Sequence, residues 1–459
     1  MQEVKENKMG TRPMLGLILS MSLPAMFSML IQSLYNVVDS VFVAQLGQDA
    51  MTAVSIAFPI QSLMIAFAVG TGIGINSLVS RRLGEKRQDE ADRAASHGLT
   101  LGVITWAVFA LLGLFFTKAF FRTFTGGEDA AVFQYGCDYT YIVTIFSMGI
   151  FLEVNIEKTL QATGNMLFPM LFQLTGAVIN IILDPIMIFG LLGFPKLGVA
   201  GAAIATVTGQ IISMIFAVVV LFWKDHAVSI TLKDCRLRAR TVKDLYRVGF
   251  PSIVMQSIMA FLVTFLNLIL IGLSEAAVWV LGVYYKLQSF FFMPVFGLNH
   301  GLMPILGFNY GARKKERIYS AMKIGSLIAV LIMAVGTLAF ELFPRQLLMI
   351  FNPTPEAMEI GITAFRLIAL CFLPAAVGIV ASTLFQAVGM GSKSLFISIL
   401  RQLVIILPAA YLLSKIGLDY VWAAWPIAEF VALAVAIVFL AGIFRSHISR
   451  LDEPGFHTV

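Results

Sequence analysis

Residues 24–84 read PAMFSMLIQSLYNVVDSVFVAQLGQDAMTAVSIAFPIQSLMIAFAVGTGIGINSLVSRRLG, and residues 251–311 read PSIVMQSIMAFLVTFLNLILIGLSEAAVWVLGVYYKLQSFFFMPVFGLNHGLMPILGFNYG. The two stretches align without a gap at one constant offset, the one that carries Pro24 onto Pro251. Gln61-Ser62 falls on Gln288-Ser289, Gly70 on Gly297, Gly74 on Gly301 and Gly84 on Gly311. Basic pairs follow both stretches, Lys86-Arg87 and Arg313-Lys314. Between these marks the chain is almost wholly apolar, so the repeated unit is membrane-embedded. Tandem duplication of such a unit is how many secondary transporters are built, with the substrate site between the halves.

Composition agrees. Of 459 residues, 59% are hydrophobic and 13% charged, against roughly 25% charged in soluble domains. The net charge of +6 sits in short loops between apolar runs and gives no reason to expect nucleic acid. Cys137, Cys235 and Cys371 form no metal-ligand spacing and no disulfide set. The apolar run after Lys5, Lys8 and Arg12 continues to Ala44. It is too long for a signal peptide and reads as a retained first span.

A spanning helix needs roughly 20 apolar residues. Twelve runs qualify, over 15–44, 50–79, 95–116, 131–157, 167–190, 198–223, 248–271, 277–306, 322–342, 357–387, 394–414 and 419–444. Alternate loops carry 24 Lys and Arg on one side and five on the other. The positive-inside rule then puts both termini in the cytoplasm of a multi-pass plasma-membrane protein. The expected fold is an all-α integral membrane protein of 12 transmembrane helices. They form two six-helix bundles related by a pseudo-twofold axis along the membrane normal. The expected organisation is a cytoplasmic N-terminus at 1–14, an N-terminal lobe at 15–223, a linker at 224–247, a C-terminal lobe at 248–445 and a tail at 446–459. Gly70-x-x-x-Gly74 and Gly297-x-x-x-Gly301 suit close helix packing, with backbone bending as the other reading.

Carboxylates inside a membrane are expensive and usually functional. Asp39 ends a stripe of Gln32, Tyr35, Asn36 and Asp39 at helical spacing in span 1. Asp184 lies six residues before Gly190 in span 5, with Asn180 one turn earlier. Thr206 lies on the order of 13 Å into span 6, and Tyr139 and Tyr141 are similarly placed in span 4. Asp39, Asn180, Asp184 and Thr206 therefore share a depth. Such a set can hold a shared proton between its carboxyls or give oxygen ligands to Na⁺. The alternative is local backbone satisfaction, and Asp184-Pro185 reads as a helix interruption.

Glu153 offers an inner gate or second proton site, whereas Glu157 beside Lys158 reads as a solvated helix end. Lys286 lies deep in span 8 and invites an interior ion pair. Arg401 looks buried, and Glu429 has no evident partner in the sequence. Gln32, Tyr35, Asn36, Gln61, Tyr139, Met255, Met259 and Gln288 are candidates to line a cavity for lipophilic cations. No phosphate-binding loop, nucleophile–base pair or metal-ligand motif is present. Neither an enzyme nor direct ATP drive is expected, and no cofactor beyond a coupling ion.

The motifs resemble the multidrug and toxin extrusion (MATE) family over residues 15–445, closest to its bacterial branch of MepA-type exporters. Leu23-Pro24 with Tyr35-Asn36-Val37-Val38-Asp39-Ser40 looks like the family's first helix. Ser80-Arg81-Arg82-Leu83-Gly84 looks like its loop 2–3. Leu160-Gln161-Ala162-Thr163-Gly164-Asn165, Asn180-Ile181-Ile182-Leu183-Asp184-Pro185 and Gly198-Val199-Ala200-Gly201 follow in order. Gly307-Phe308-Asn309-Tyr310-Gly311 mirrors loop 2–3 in the second half. The resemblance implies a V-shaped pair of lobes, alternating access, and export of organic-cation drugs or toxins by a protein acting as a monomer. The drive would be H⁺, favoured over Na⁺. It also implies that Asp39, Asn180, Asp184 and Thr206 form the cation site. Spans 7 and 10 offer Gln256, Asn267, Arg366 and Gln386 but no carboxylate well inside, so the C-terminal acidic site of some branches is not expected. The runner-up is a lipid-linked precursor flippase of the same superfamily. Its anionic cargo would call for a basic cavity.

Overall fold

The computed structural model describes residues 7–125, 130–224, 226–231 and 233–453; Lys5 of the basic N-terminus lies outside them. Among these residues ten helices are long and apolar enough to cross a membrane, and two bent pairs, each taken as one span, bring the number to twelve. In chain order they are α1 (Met14–Ala44), α2 (Gln48–Gly84), α3 (Gln88–Thr125), α4 (Ala131–Ile145 with Met148–Ala162), α5 (Leu167–Phe189) and α6 (Val199–Trp223). The second set is α7 (Ala239–Ile271), α8 (Glu275–Gly311), α9 (Lys315–Leu342), α10 (Pro355–Ala369 with Phe372–Ala387), α11 (Gly391–Ser414) and α12 (Leu418–Ile448).

Two of the twelve are broken. The α4 halves meet at 43° and the α10 halves at 47°. In α10 the break precedes Pro374, whose missing N–H weakens the turn before it. In α4 no proline is involved. Thr144 donates to the Thr140 carbonyl (2.6 Å) and Ser147 to the Thr144 carbonyl (2.7 Å). Such back-bonding competes with the helical ladder and bends it. Conversely, α5 runs unbroken through Pro185 to its left-handed Gly190 cap (φ 75°). The interruption expected at Asp184-Pro185 does not occur.

The chain divides into two compact units that do not follow the sequence halves. One comprises the segment ending at Met26, Ser80–Lys86 and Val254–Val459; the other comprises Phe27–Val79 and Arg87–Ile253. The first part of α1 therefore packs with the C-terminal helices, and the first part of α7 with the N-terminal ones. The glycines shared by the two repeats make this possible. A Cβ at Gly74 would lie 2.5 Å from the Leu245 carbonyl oxygen, and one at Gly70 would strike Ile253. In the other unit, Gly301 rests on Ser22 and Gly297 on Met26, where a Cβ would lie 2.5 Å from the Met26 Cα. These glycines are contact points, which favours the packing reading of both motifs. Gly84 lies against the Phe308 carbonyl and Gly311 against the Arg81 carbonyl. Arg81 and Phe308 are themselves counterparts in the two repeats, so this contact is reciprocal.

The C-terminal unit buries an aromatic cluster in which Phe340 meets Phe365 at 4.8 Å and Phe372 at 5.2 Å. Cys137 and Cys371 are buried, and the three cysteines form no disulfide among the described residues.

Candidate functional site

Small residues build the site in the unit formed by Phe27–Val79 and Arg87–Ile253. Gly209 of α6 sits 2.8 Å (as a Cβ would) from the Gly176 carbonyl of α5, and Gly201 sits on the Met187 carbonyl. Ala202, Ala203 and Ala205 are all buried alongside. Two helix backbones this close bring short polar side chains into contact. The Asn180 amide thereby reaches Thr206. In one orientation its nitrogen donates to Thr206 Oγ1 at 3.2 Å. Turned over, the amide donates to Asp184 Oδ2 (2.9 Å) and accepts from Thr206 N (3.0 Å) and Oγ1 (3.2 Å). The second arrangement satisfies more groups and is the chemically sound one.

α1 completes the cluster. One turn beyond Asp39, Val43 is buried against Ile188 of α5 and Ala202 of α6, and Phe42 meets Phe189 edge-on at 6.4 Å. This docking brings the Asp39 carboxyl into hydrogen-bond contact with that of Asp184. Oδ1 of each is buried without another partner among the described residues. The Tyr35 hydroxyl hydrogen-bonds to Thr206. Tyr139 is buried in one cluster with Ala203 and Val207, and its hydroxyl accepts from Gln61 Nε2 at 2.9 Å. Seven of the residues singled out in the sequence therefore meet: Asp39, Asp184, Asn180, Thr206, Tyr35 and, beside the two carboxyls, Tyr139 with its partner Gln61.

The rest fall elsewhere. Gln32 and Asn36 are exposed, so the stripe on α1 turns only Tyr35 and Asp39 into the cluster. Met255, Met259 and Gln288 belong to the other compact unit; Met259 is exposed and the other two are half-buried. Lys286 forms no interior ion pair among the described residues. It is exposed, with its ammonium 5.9 Å from the Phe351 ring centre. Glu153 is buried, and its Oε1 has no hydrogen-bond partner among the described residues.

Two polar constellations were not anticipated. Glu157 and Lys158 are not a solvated helix end: their side chains are 2% and 4% exposed, with Nζ 2.9 Å from Glu157 Oε1. Gln161 and Gln173 donate to the same carboxylate at 2.7 and 2.9 Å. The spacing of Glu157 and Gln161, one helical turn, was the available signal. In the other unit Arg401 Nη1 lies 3.3 Å from Glu429 Oε1, across 28 residues of sequence, a pairing that no local pattern announces.

The MatE family model matches the chain twice, at residues 24–186 and 251–412. The chain belongs to the MatE family. The two matches begin at Pro24 and Pro251, which is where the two copies of the repeat themselves begin. This MatE protein is 26% identical over 445 residues to a FAD transporter of Shewanella oneidensis, covering 96% of each chain. It is 25% identical over 422 residues to the multidrug export protein MepA of Staphylococcus haemolyticus, covering 91% of this chain and 92% of that one. Its fold matches a crystal structure of MATE in complex with MaL6 at a TM-score of 0.90 and 30% identity. That match covers 98% of this chain and 100% of the other. The two-lobe, twelve-helix class expected from the sequence is thus the fold, and the chain is a multi-pass membrane transporter rather than an enzyme.

Proposed function

We propose that this MatE protein is an ion-coupled antiporter that exports lipophilic organic cations by alternating access, and that Asp39 and Asp184 bind the coupling ion. The observation carrying this reading is the contact between the two carboxyl groups, with Asn180, Thr206 and Tyr35 around them. Two carboxyls in hydrogen-bond contact have a place for one proton between them, and this favours H⁺ over Na⁺ as the driving ion. The same oxygens would also attract a cationic drug. Ion and drug then compete for the carboxylates, and each weakens the other's binding by a common coupling free energy. The MepA relative exports multiple drugs by name, which supports a broad small-molecule cargo. Glu153 serves as a second proton site. The protein acts as a monomer in the plasma membrane of a bacterium with both termini in the cytoplasm, as its basic loops favour.

The FAD transporter relative raises a second reading, export of an anionic dinucleotide. A pair of facing carboxyls opposes it, as it opposes lipid-linked anions. Proteoliposomes loaded with a fluorescent lipophilic cation, or with FAD, and given separate H⁺ and Na⁺ gradients test both. Cation efflux driven by one gradient and lost in Asp39→Asn and Asp184→Asn is the expected result. Efflux that survives both substitutions would refute the site, and FAD efflux without cation efflux would refute the cargo.

A further inference from the structure

In the unit that contains Val254–Val459, a groove of about 650 Å³ opens between the ends of α7 and α11. One wall runs from Phe265 through Leu268 to Gly272 and Leu273, the other from Leu407 and Pro408 through Tyr411 to Lys415. Each wall spans nine residues, or eight helical rises of about 12 Å in all, against roughly 15 Å for half of a bilayer's hydrocarbon. Its length therefore suits one leaflet. Its existence follows from the sequence. Gly272 contributes no side chain to one wall. Pro408 stands two residues past the end of the wide π-helical turn Leu400–Ile406, and it removes an N–H from the ladder just beyond that turn.

All but two of the lining residues are apolar or aromatic, and Lys415 stands at the mouth. Its ammonium lies 4.8 Å from the Tyr411 ring centre, and no carboxylate lies within ion-pair distance of it among the described residues. Glu275 and Asp419 follow close in the sequence on Gly272 and Lys415, and neither pairs with the lysine; Glu356 accepts from the Ser274 hydroxyl at 2.7 Å. A cation held at a helix end above an apolar groove opposes a cationic drug. It matches a molecule with a hydrocarbon tail and a negative head.

We infer that this groove between α7 and α11 is a binding site for an anionic phospholipid, with an acyl chain along the groove and the phosphate at Lys415. The site is separate from the Asp39–Asp184 cluster and does not depend on the cargo.

Purified protein incubated with equimolar phosphatidylglycerol and phosphatidylcholine of identical chains, then examined by native mass spectrometry, tests this. Wild type should retain the anionic lipid about fivefold over the zwitterionic one, the worth of one lysine at an anionic surface. Lys415→Gln should bring that ratio close to one. Gly272→Leu, which fills the groove, should lower retention of both lipids. Raising salt with the wild-type protein should also lower the ratio, and this reads the same preference without any substitution. Equal retention of the two lipids by wild type, or unchanged retention in Gly272→Leu, would overturn the assignment.

Discussion

Replacing Lys158 with methionine should cost the folded protein about 3 kcal/mol, although the residue sits next to a loop. Lys158 and Glu157 are 4% and 2% exposed and 2.9 Å apart, so removing the ammonium strands a buried carboxylate. Breaking a buried pair in this way costs about 3–5 kcal/mol. Glu157 keeps the amide donors of Gln161 and Gln173, which places the loss at the lower end. Glu157→Gln should cost less, about 2 kcal/mol, because Lys158 retains the Gln161 Oε1 acceptor at 3.2 Å. The double variant removes both members of the pair. At about 2 kcal/mol it corresponds to a coupling energy of about 3 kcal/mol. Unfolding in mixed micelles of mild detergent and SDS measures all four proteins. A Lys158→Met loss no larger than that of a solvent-exposed pair, about 0.5 kcal/mol, would mean that water solvates the pair and would refute the reasoning. A coupling indistinguishable from zero would do the same.

Four further outcomes are expected. Gly84→Ala and Gly311→Ala should destabilise by similar amounts, about 1–3 kcal/mol each, since both press a methyl into a backbone carbonyl; the same micelle assay checks this. Gly16→Ala, with nothing within 4 Å of its Cβ position, should instead be neutral or stabilise α1 by about 0.5–1 kcal/mol. Glu429→Gln should lower stability, and Glu429→Gln combined with Arg401→Gln should recover much of the loss, read as a thermal midpoint in detergent. Asn180→Leu should leave the protein folded but reduce gradient-driven efflux at least tenfold, because the Asp184 Oδ2 donor disappears.

Periodicity and charge made the spans legible, because lipid demands long apolar runs and loops collect the basic residues. The acidic cluster was legible too. Asp39, Asn180, Asp184 and Thr206 are polar groups at a common depth in helices that otherwise read as hydrocarbon. Lys158 was misread because proximity to a loop was taken for exposure. Gly72 leaves room for its stem, with the Lys158 Cγ 2.6 Å from where a glycine Cβ would stand, and that vacancy belongs to a different helix, α2. Arg401 and Glu429 were each visible as charges, but their partnership depends on how α11 packs against α12. The bend in α4 depends on which threonine and serine hydroxyls turn back onto the helix, and sequence does not fix that choice.

The repeat carries more than a fold class, because its symmetry extends to single contacts. α1 leaves one compact unit for the other between Met26 and Phe27, and α7 does so between Ile253 and Val254. These points are equivalent in the two repeats, and each lies just past a helix-interior proline, Pro24 or Pro251. Each proline withholds an N–H from the carbonyl one turn earlier, at Ser20 and at Arg247. A helix shared between two packed bodies bends most cheaply where its ladder already lacks a rung. Gly70 and Gly74 then hold the early part of α7, as Gly297 and Gly301 hold that of α1. One ancestral solution, a proline at the crossing and two glycines for the grip, thus serves twice. The segment Ser80–Lys86 breaks the symmetry: it and its equivalent, 307–313, lie in the same unit. There the two equivalent segments lie against each other, Gly84 on the Phe308 carbonyl and Gly311 on the Arg81 carbonyl. A side chain at either glycine would part both contacts, because each glycine sits one turn from the carbonyl that its counterpart touches.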